Sequence, residues 1–580
     1  MDFNAVYDTL LDNRKVTAIV RQDPCTYMGI SYECFISCKL SVSDSMIPVF
    51  IGISEKWEQE LVDIYIENYK SFPYIPHVDV KGKICLFDLE GVLIDTNLCG
   101  LLHQCVNRAI MVLSDGLSGR NKEDFIKEFD LYWCQLPAKR NIKCVIPAEP
   151  KIQIIKYVEE KVAPRRKNEK YAAYIKRMEG NELFAAVDTD AFSTWSISEA
   201  QKNGIYFYLY AKSYVYPPDP RILLNFEFIN NLLRLVAADE YKRALHKAAS
   251  DKLFIFQIEQ PNGMKTCFGV LIKNAVVLED NGFYNIKETA STKMYPLSIQ
   301  RIDKSYLMNR ITSPAISLTE KKCLLIGCGS IGGYLVNELI KFGFESITLV
   351  DEDLLMAENV FRHFLGIEYI GQYKAGALVR YFRKNIPHLT LNSIDDNIRD
   401  LIEDGSIDLA EYDFIISATG NHNINRWINK TVYTQKIKAP VFYVWNEPLD
   451  LGCHVAVVKS TRTGCYECFF KRDEKSQELY DSTAYCSPGQ NVTKNFTGCG
   501  GSFIPYGSTI SLKSTVLCMD WINRIIDGRC CDNVLVSLKG DGYYFVKADF
   551  KMSTMYTQQS NHLNVTIGSK FRNAKCEVCG

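Results

Sequence analysis

The sequence predicts an α/β multidomain protein, with α+β domains in its first half and a doubly wound, Rossmann-like nucleotide domain in its second. Three observations carry this. The chain has 580 residues, several times the roughly 150 of an average domain. A short apolar strand, Cys323-Leu324-Leu325-Ile326, runs directly into Gly327-Cys328-Gly329-Ser330-Ile331-Gly332, then into a helical period and a second strand ending at Asp351. Upstream, helix-like and strand-like runs are mixed and interrupted by paired prolines.

Taken in order, residues 1–148 read as one mixed domain. Phe72-Pro73-Tyr74-Ile75-Pro76 cannot be helix interior, because proline lacks the amide and restrains its predecessor. Lys83 to Phe87 reads as a short strand and Leu101 to Leu113 as a helix. The pattern changes over Pro147 to Lys170, where charges alternate with Ile152, Ile154, Ile155 and Val158; Arg165-Arg166-Lys167 there reads as a solvated face. Residues 149–305 read as an α+β linker domain. Its aromatic run Tyr206 to Tyr210 is β-type and is stopped by Pro217-Pro218. A helix is expected over Asn230 to Ala249, and Pro261-Asn262-Gly263 marks a hairpin between Leu253–Glu259 and Thr266–Ile272. The nucleotide domain takes 306–580, with a late helix over Ser511 to Ile526.

Composition narrows the function classes. A net charge of −1 argues against direct nucleic-acid binding dominated by phosphate contacts. Met1-Asp2-Phe3-Asn4 lacks the basic-then-apolar pattern of a secretory signal, and no apolar run is long enough to span a bilayer, so a cytoplasmic protein without membrane contact is expected. The 21 cysteines are odd in number and dispersed, unlike an exported disulfide framework. Most are expected to be buried apolar fillers.

The chemistry starts at the glycine loop. Its glycines let the backbone approach a pyrophosphate at a helix amino terminus, and Asp351 is placed for ribose hydroxyls. Downstream come Asp353, then Asn359-Val360-Phe361-Arg362, then Gly371-Gln372-Tyr373-Lys374. An enzyme that expels pyrophosphate needs a cation pair such as Arg362 and Lys374 to neutralise the triphosphate; a dehydrogenase does not. This ordered set resembles the ThiF, MoeB and ubiquitin-activating superfamily over about 310–580. The resemblance implies ATP and magnesium as cofactors, with Gly327, Gly329, Gly332, Asp351, Asn359, Arg362 and Lys374 as ATP-site residues. Family members often carry an acid where Ser417-Ala418-Thr419-Gly420-Asn421 has Gly420; Asp353 is the substitute candidate for holding magnesium.

Two thiol arrangements follow. Cys465-Tyr466-Glu467-Cys468 and Cys576-Glu577-Val578-Cys579 each supply half of a tetrahedral zinc shell. Zinc is the expected metal, and ThiF-like proteins carry it in this arrangement. Between the pairs lies Thr497-Gly498-Cys499-Gly500-Gly501, where the same resemblance places an acyl-accepting cysteine. Cys499 is favoured; Cys486 is its rival.

Near the amino end, Phe72-Pro73, Pro76-His77-Val78-Asp79 and Gly82-Lys83-Ile84-Cys85-Leu86 resemble the ubiquitin-conjugating enzymes. By that resemblance Cys85 carries a thioester and His77 is structural, while Val78-Asp79 replaces the usual Pro-Asn. The order of conjugating-like domain, linker, adenylation domain and zinc tail resembles the CD-NTase-associated activating–conjugating fusions of bacterial CBASS antiphage operons. This implies a homodimer that activates the free carboxyl terminus of a cGAS-like CD-NTase and attaches it to amines of target proteins. The chemistry expected is adenylation, capture on Cys499, exchange to Cys85 and amide formation. Three alternatives stand beside it: a sulfur-carrier adenylyltransferase, an NAD-dependent oxidoreductase, and a non-catalytic nucleotide-binding scaffold.

Overall fold

The computed structural model describes residues 3–87, 94, 97–159, 170, 173, 183–186, 201–247, 250–308, 318, 320–386, 389–495 and 502–580. They divide into two compact units, Met1–Leu307 and Met308–Gly580. The run Arg165–Lys167 lies outside the described residues.

The first unit opens with helix α1 (Phe3–Leu11) and a sheet of β1 (Val16–Gln22), β2 (Cys34–Val42), β3 (Ser45–Ile53) and β4 (Asp63–Ile66) in that order, all antiparallel. Helix α2 (Leu98–Ser118) covers one face. Leu98, Leu101, Leu102, Cys105, Val106, Ala109 and Leu113 recur at helical spacing and are all buried. The Asn97 side chain accepts from the Gly100 amide and left-handed Gly119 ends the helix. Lys83 to Phe87 is not the expected strand. Lys83 and Ile84 make isolated bridges to Tyr65 and Val78, and the Cys85 amide turns to the His77 carbonyl at 2.8 Å.

Short helices α3 (Asp124–Lys127) and α4 (Phe129–Trp133) lead into a closed seven-stranded barrel. Its strands are β5 (Arg140–Cys144), β6 (Gln153–Glu159), β7 (Leu183–Ala186), β8 (Lys202–Tyr210), β9 (Lys252–Glu259), β10 (Lys265–Lys273) and β11 (Lys293–Arg301). Around the barrel they run β8-β9-β10-β11-β5-β7-β6. The expected β9–β10 hairpin is present, with the Gly263 amide donating to the Gln260 carbonyl at 2.8 Å. The single helix expected over Asn230 to Ala249 is instead two, α5 (Phe226–Leu233) and α6 (Ala238–Lys247). The Ala238 amide is drawn 3.0 Å to the Gly282 carbonyl, in the turn of the 276–287 hairpin, which breaks the helical ladder. Phe129 and Trp133 of α4 are buried in an aromatic cluster on the barrel's outer face, where α4, α5 and α6 pack on β8, β9 and β10, with Phe129 4.9 Å from Phe268 and Trp133 Nε1 donating to the Leu297 carbonyl at 3.0 Å.

The second unit is the predicted doubly wound fold. Strands β12 (Lys322–Ile326), β13 (Ser346–Val350), β14 (Thr390–Ile394), β15 (Phe414–Ser417) and β16 (Val441–Asn446) are parallel in the order β14-β13-β12-β15-β16. Antiparallel β17 (Gly452–Val458), β18 (Val534–Lys539) and β19 (Leu563–Ile567) extend the sheet. Apolar clusters cover both faces, which is why the parallel strands read as continuous hydrophobic runs. Helices α7 (Gly332–Phe342), α8 (Lys374–Asn385), α9 (His422–Thr434) and α10 (Ser508–Ile526) carry the residues of interest, α10 starting three residues before its expected first residue. The strand order reverses between β12 and β15, and ligands bind such sheets outside the strand ends at this switch point.

Candidate functional site

A cavity of about 390 Å³ opens at the switch point. Its floor is the glycine loop after β12. Gly327 has φ +88°, and an added Cβ would lie 2.8 Å from the Thr419 amide nitrogen, so the loop after β15 can pack directly on it. At Gly332 a Cβ would come within 2.0 Å of the Gly327 carbonyl oxygen, which fixes the first turn of α7 against the loop. Gly329 differs: among the described residues nothing lies within 4 Å of its Cβ position, and it lines the cavity with Ser330 and Ile331 just ahead of α7. Open space before a helix amino terminus is what a bound phosphate requires.

The acids and cations surround this floor. Asp351 Oδ2 accepts from the Cys328 amide at 2.6 Å and Oδ1 from the Asp353 amide at 2.9 Å. Burial holds its carboxyl above the ordinary range, opposed by the Lys374 charge. Lys374, at the start of α8, is buried, and its ammonium is 2.7 Å from the exposed carboxylate of Asp353. Arg362 is half-buried, its guanidinium 5.5 Å from the Phe503 ring and 5.3 Å from the Tyr506 ring. Tyr506 also meets Ser330, hydroxyl to hydroxyl, at 2.9 Å. Asp351, Asp353, Arg362 and Lys374 all line the cavity. Asn359 is not among the lining residues. It caps a short turn, its Oδ1 accepting from the Met356 amide at 3.0 Å, and its carbonyl accepts from the Arg362 amide. Gly420 lines the cavity with φ +66° and open space around its Cβ position.

Sequence reasoning missed His363. It is buried beside Arg362, its Nε2 2.7 Å from the Cys328 carbonyl, while Nδ1 accepts from the Leu365 amide at 3.0 Å. These partners fix the neutral tautomer with the proton on Nε2. Burial pushes its pKa down to about 4, helped by the nearby Lys374 and Arg362 charges. His363 ties the arginine loop to the glycine loop, a contact across 35 positions that leaves no local pattern.

The four expected metal thiols converge. Cys465, Cys468, Cys576 and Cys579 have all their sulfurs within 4.8 Å of one another. Neighbouring sulfurs are 3.9, 3.6 and 3.4 Å apart, close to the roughly 3.8 Å edge of a tetrahedron with 2.3 Å metal–sulfur bonds. Hydrogen bonding from the Cys465 thiol holds the Cys468 thiol below its usual range. This donor set fits zinc.

Cys499 lies outside the described residues. The strands that bracket it are described: Lys494 pairs with Phe503, and Asn495 with Ser502. Phe503 is the residue against Arg362. Rival Cys486 is half-buried and accepts from Gln490 Nε2 at 3.4 Å. Burial pushes its thiol up, which keeps it protonated and poorly nucleophilic.

In the first unit Cys85 is exposed. The His77 carbonyl that holds its amide belongs to a residue at φ +62°, clamped by three groups. Its own amide donates to the Tyr132 hydroxyl at 2.7 Å, Nε2 lies 3.1 Å from Asp124, and Nδ1 lies 3.4 Å from Glu128. Hydrogen bonding to Glu128 first, and to Asp124, raises the imidazole pKa against the cost of burial. Asp79, in the place of the usual asparagine, accepts from the Lys81 and Lys83 amides at 2.8 Å and shapes the turn before Cys85.

The two halves thus define a class: an E2-type sheet presenting an exposed cysteine, and a ThiF-type nucleotide fold with a four-thiol cluster. Family models agree, the ThiF family matching residues 311–564 and prokaryotic E2 family B matching residues 36–141. The chain is a homologue of proteins that carry the name ATP-dependent ubiquitin transferase-like protein Cap2. It is 23% identical over 473 residues to the ATP-dependent ubiquitin transferase-like protein Cap2 of Pseudomonas aeruginosa, covering 78% of this chain and 80% of that one. It is 30% identical to the protein of the same name from Escherichia coli, over 37% of each chain. The catalytic subunit of the NEDD8-activating enzyme of Schizosaccharomyces pombe is 29% identical over 26% of this chain and 34% of that one.

Proposed function

We propose that the chain uses ATP to adenylate the carboxyl terminus of a protein partner, captures the acyl group on Cys499, passes it to Cys85 and delivers it to a target amine. The observation that carries this reading is that an open glycine cradle, Arg362 and Lys374 line one cavity. A carboxylate is a poor acyl donor because oxide is a poor leaving group. Attack of its oxygen on the α-phosphorus of ATP expels pyrophosphate, whose growing charge Arg362 and Lys374 neutralise. The Cys499 thiolate then attacks the acyl carbon and releases AMP. Exchange onto Cys85 keeps the thioester, and a lysine amine finally takes the acyl group as an amide. Asp351 serves the ribose and Asp353 is the magnesium candidate, a role in which it must share its carboxylate with Lys374. Zinc at the four thiols holds the carboxyl-terminal segment to the adenylation fold.

The partner named by the family resemblance is a CD-NTase, and the working form is a cytoplasmic homodimer. ATP–pyrophosphate exchange with that partner tests the first step. Arg362→Ala should abolish exchange while the fold persists, and full exchange in that variant refutes the assignment. On non-reducing gels with intact-mass analysis, Cys85→Ala should retain a reducible adduct on Cys499, whereas Cys499→Ala should load neither cysteine. Normal loading of Cys85 in Cys499→Ala refutes the relay.

A further inference from the structure

The knuckle between the first cysteine pair is hydrogen-bonded through to the wall of the nucleotide cavity. Tyr466 lies between Cys465 and Cys468 and is fully buried. Its hydroxyl is 2.7 Å from His422 Nδ1 and accepts from Asn425 Nδ2 at 3.2 Å. Asn425, also fully buried, uses Oδ1 to accept from Ser417 Oγ at 2.6 Å and Thr419 Oγ1 at 3.3 Å. Ser417 ends β15, and Thr419 lines the cavity and supplies the backbone against which Gly327 packs.

The same face of α9 grips the knuckle at two further points. Asn429 Oδ1 accepts from the Tyr466 amide at 3.2 Å, and Arg426 binds both oxygens of Glu467 at 2.8 and 2.6 Å. His422, Asn425, Arg426 and Asn429 follow the spacing of one helix face. A buried polar chain of this kind stiffens what it joins and is costly when a member is lost; Asn429 Nδ2 is its one buried side-chain atom without a partner among the described residues.

We propose that Tyr466 is a positioning residue that couples the four-cysteine cluster to the nucleotide cavity. The metal-bound cysteines fix the knuckle, the Tyr466 hydroxyl fixes Asn425, and Asn425 sets the Ser417–Thr419 wall. The coupling rests on the ATP and zinc assignments made above. Being a coupling between two bound ligands, it is reciprocal: zinc strengthens ATP binding and ATP strengthens zinc binding by the same free energy.

The molecule contains its own control. Tyr443 stacks on Tyr466 with ring centroids 4.3 Å apart, yet its buried hydroxyl has no hydrogen-bond partner among the described residues. Replacing either tyrosine by phenylalanine removes one hydroxyl from the same stack, and only one of the two is in the chain.

The experiment uses the full-length chain, with ATP affinity measured calorimetrically in excess magnesium and zinc counted by metal analysis. Tyr466→Phe should keep about one zinc per chain and bind ATP about tenfold more weakly, the order expected when a buried amide loses its acceptor. Tyr443→Phe should match the unsubstituted chain. Zinc affinity, measured by equilibrium competition with a chromophoric chelator, should be raised by saturating ATP in the unsubstituted chain and not in Tyr466→Phe. Unchanged ATP affinity in Tyr466→Phe, or equal weakening in Tyr443→Phe, overturns the coupling. Should Tyr466→Phe not fold, the zinc affinity of the unsubstituted chain decides, and indifference of that affinity to ATP overturns the proposal. Failure of the unsubstituted chain to bind ATP at all refutes the proposed function, whereas ATP binding indifferent to Tyr466 refutes the coupling alone.

Discussion

Acid should loosen the glycine loop through His363, and the size of the effect follows from its surroundings. The folded imidazole is neutral with a pKa of about 4, whereas the ordinary value is 6.5. Above 6.5 neither state binds the proton and stability is independent of this group. Between 6.5 and 4 the unfolded chain takes a proton that the folded site refuses, so stability falls as pH falls. At 1.36 kcal/mol per unit the full loss is about 3 kcal/mol, of which about 2 is reached by pH 5. His363→Gln keeps a donor for the Cys328 carbonyl but leaves the Leu365 amide unpaired, so it should cost about 1–3 kcal/mol at pH 7. It should also abolish the acid dependence. The assay is hydrogen exchange by mass spectrometry on peptides spanning Cys323 to Phe342, converted to opening free energies at pH 7 and 5 after correction for intrinsic rates. A local measurement is needed because a chain with two compact units does not unfold in one step. An unsubstituted loop as stable at pH 5 as at pH 7, or an equal drop in His363→Gln, refutes the reasoning.

Two of the loop glycines should separate by function. Gly332→Ala drives a methyl onto the Gly327 carbonyl and should destabilise the second unit in thermal unfolding, whereas Gly329→Ala, which meets nothing, should melt normally and fail in ATP binding. The His77 clamp should show the opposite pH sign to His363. Its raised pKa means that the stability it contributes is complete below the ordinary value of 6.5 and is lost as pH rises through the folded value. Exchange protection of peptides covering Pro76 to Leu86 should therefore fall from pH 6 to 9 in the unsubstituted chain and stay flat in His77→Gln.

What could be read from the sequence was what neighbours along the chain determine. The glycine loop, its flanking strands and Asp351 sit within 30 positions, and backbone geometry dictates their order. The two Cys-x-x-Cys pairs were legible for the same reason, since each spacing is set by a single turn of chain, and tetrahedral valence demanded the second pair. The barrel was not legible. Its closure joins β5 to β11, more than 150 positions apart, and no local period records that pairing. The helix over Asn230 to Ala249 failed because a carbonyl from a distant hairpin captured the Ala238 amide, and no glycine or proline marks the break. Asn359 shows a third limit: its place in an ordered motif was plain, but only coordinates reveal that it caps the turn carrying Arg362. His363 and Tyr466 act through partners 35 and about 40 positions away, so their residue types alone said nothing.

The burial of Phe129 and Trp133 against the barrel's outer face bears on how such chains can be recombined. The prokaryotic E2 match ends at residue 141, inside β5, a strand already paired with β11 and β7. A gene fragment ending there would carry two large aromatic rings stripped of their partners and one strand without its sheet. The cysteine-bearing sheet is therefore not a detachable cassette. Exchanging it between homologues requires the joint to be moved past Arg301, so that sheet and barrel are inherited together.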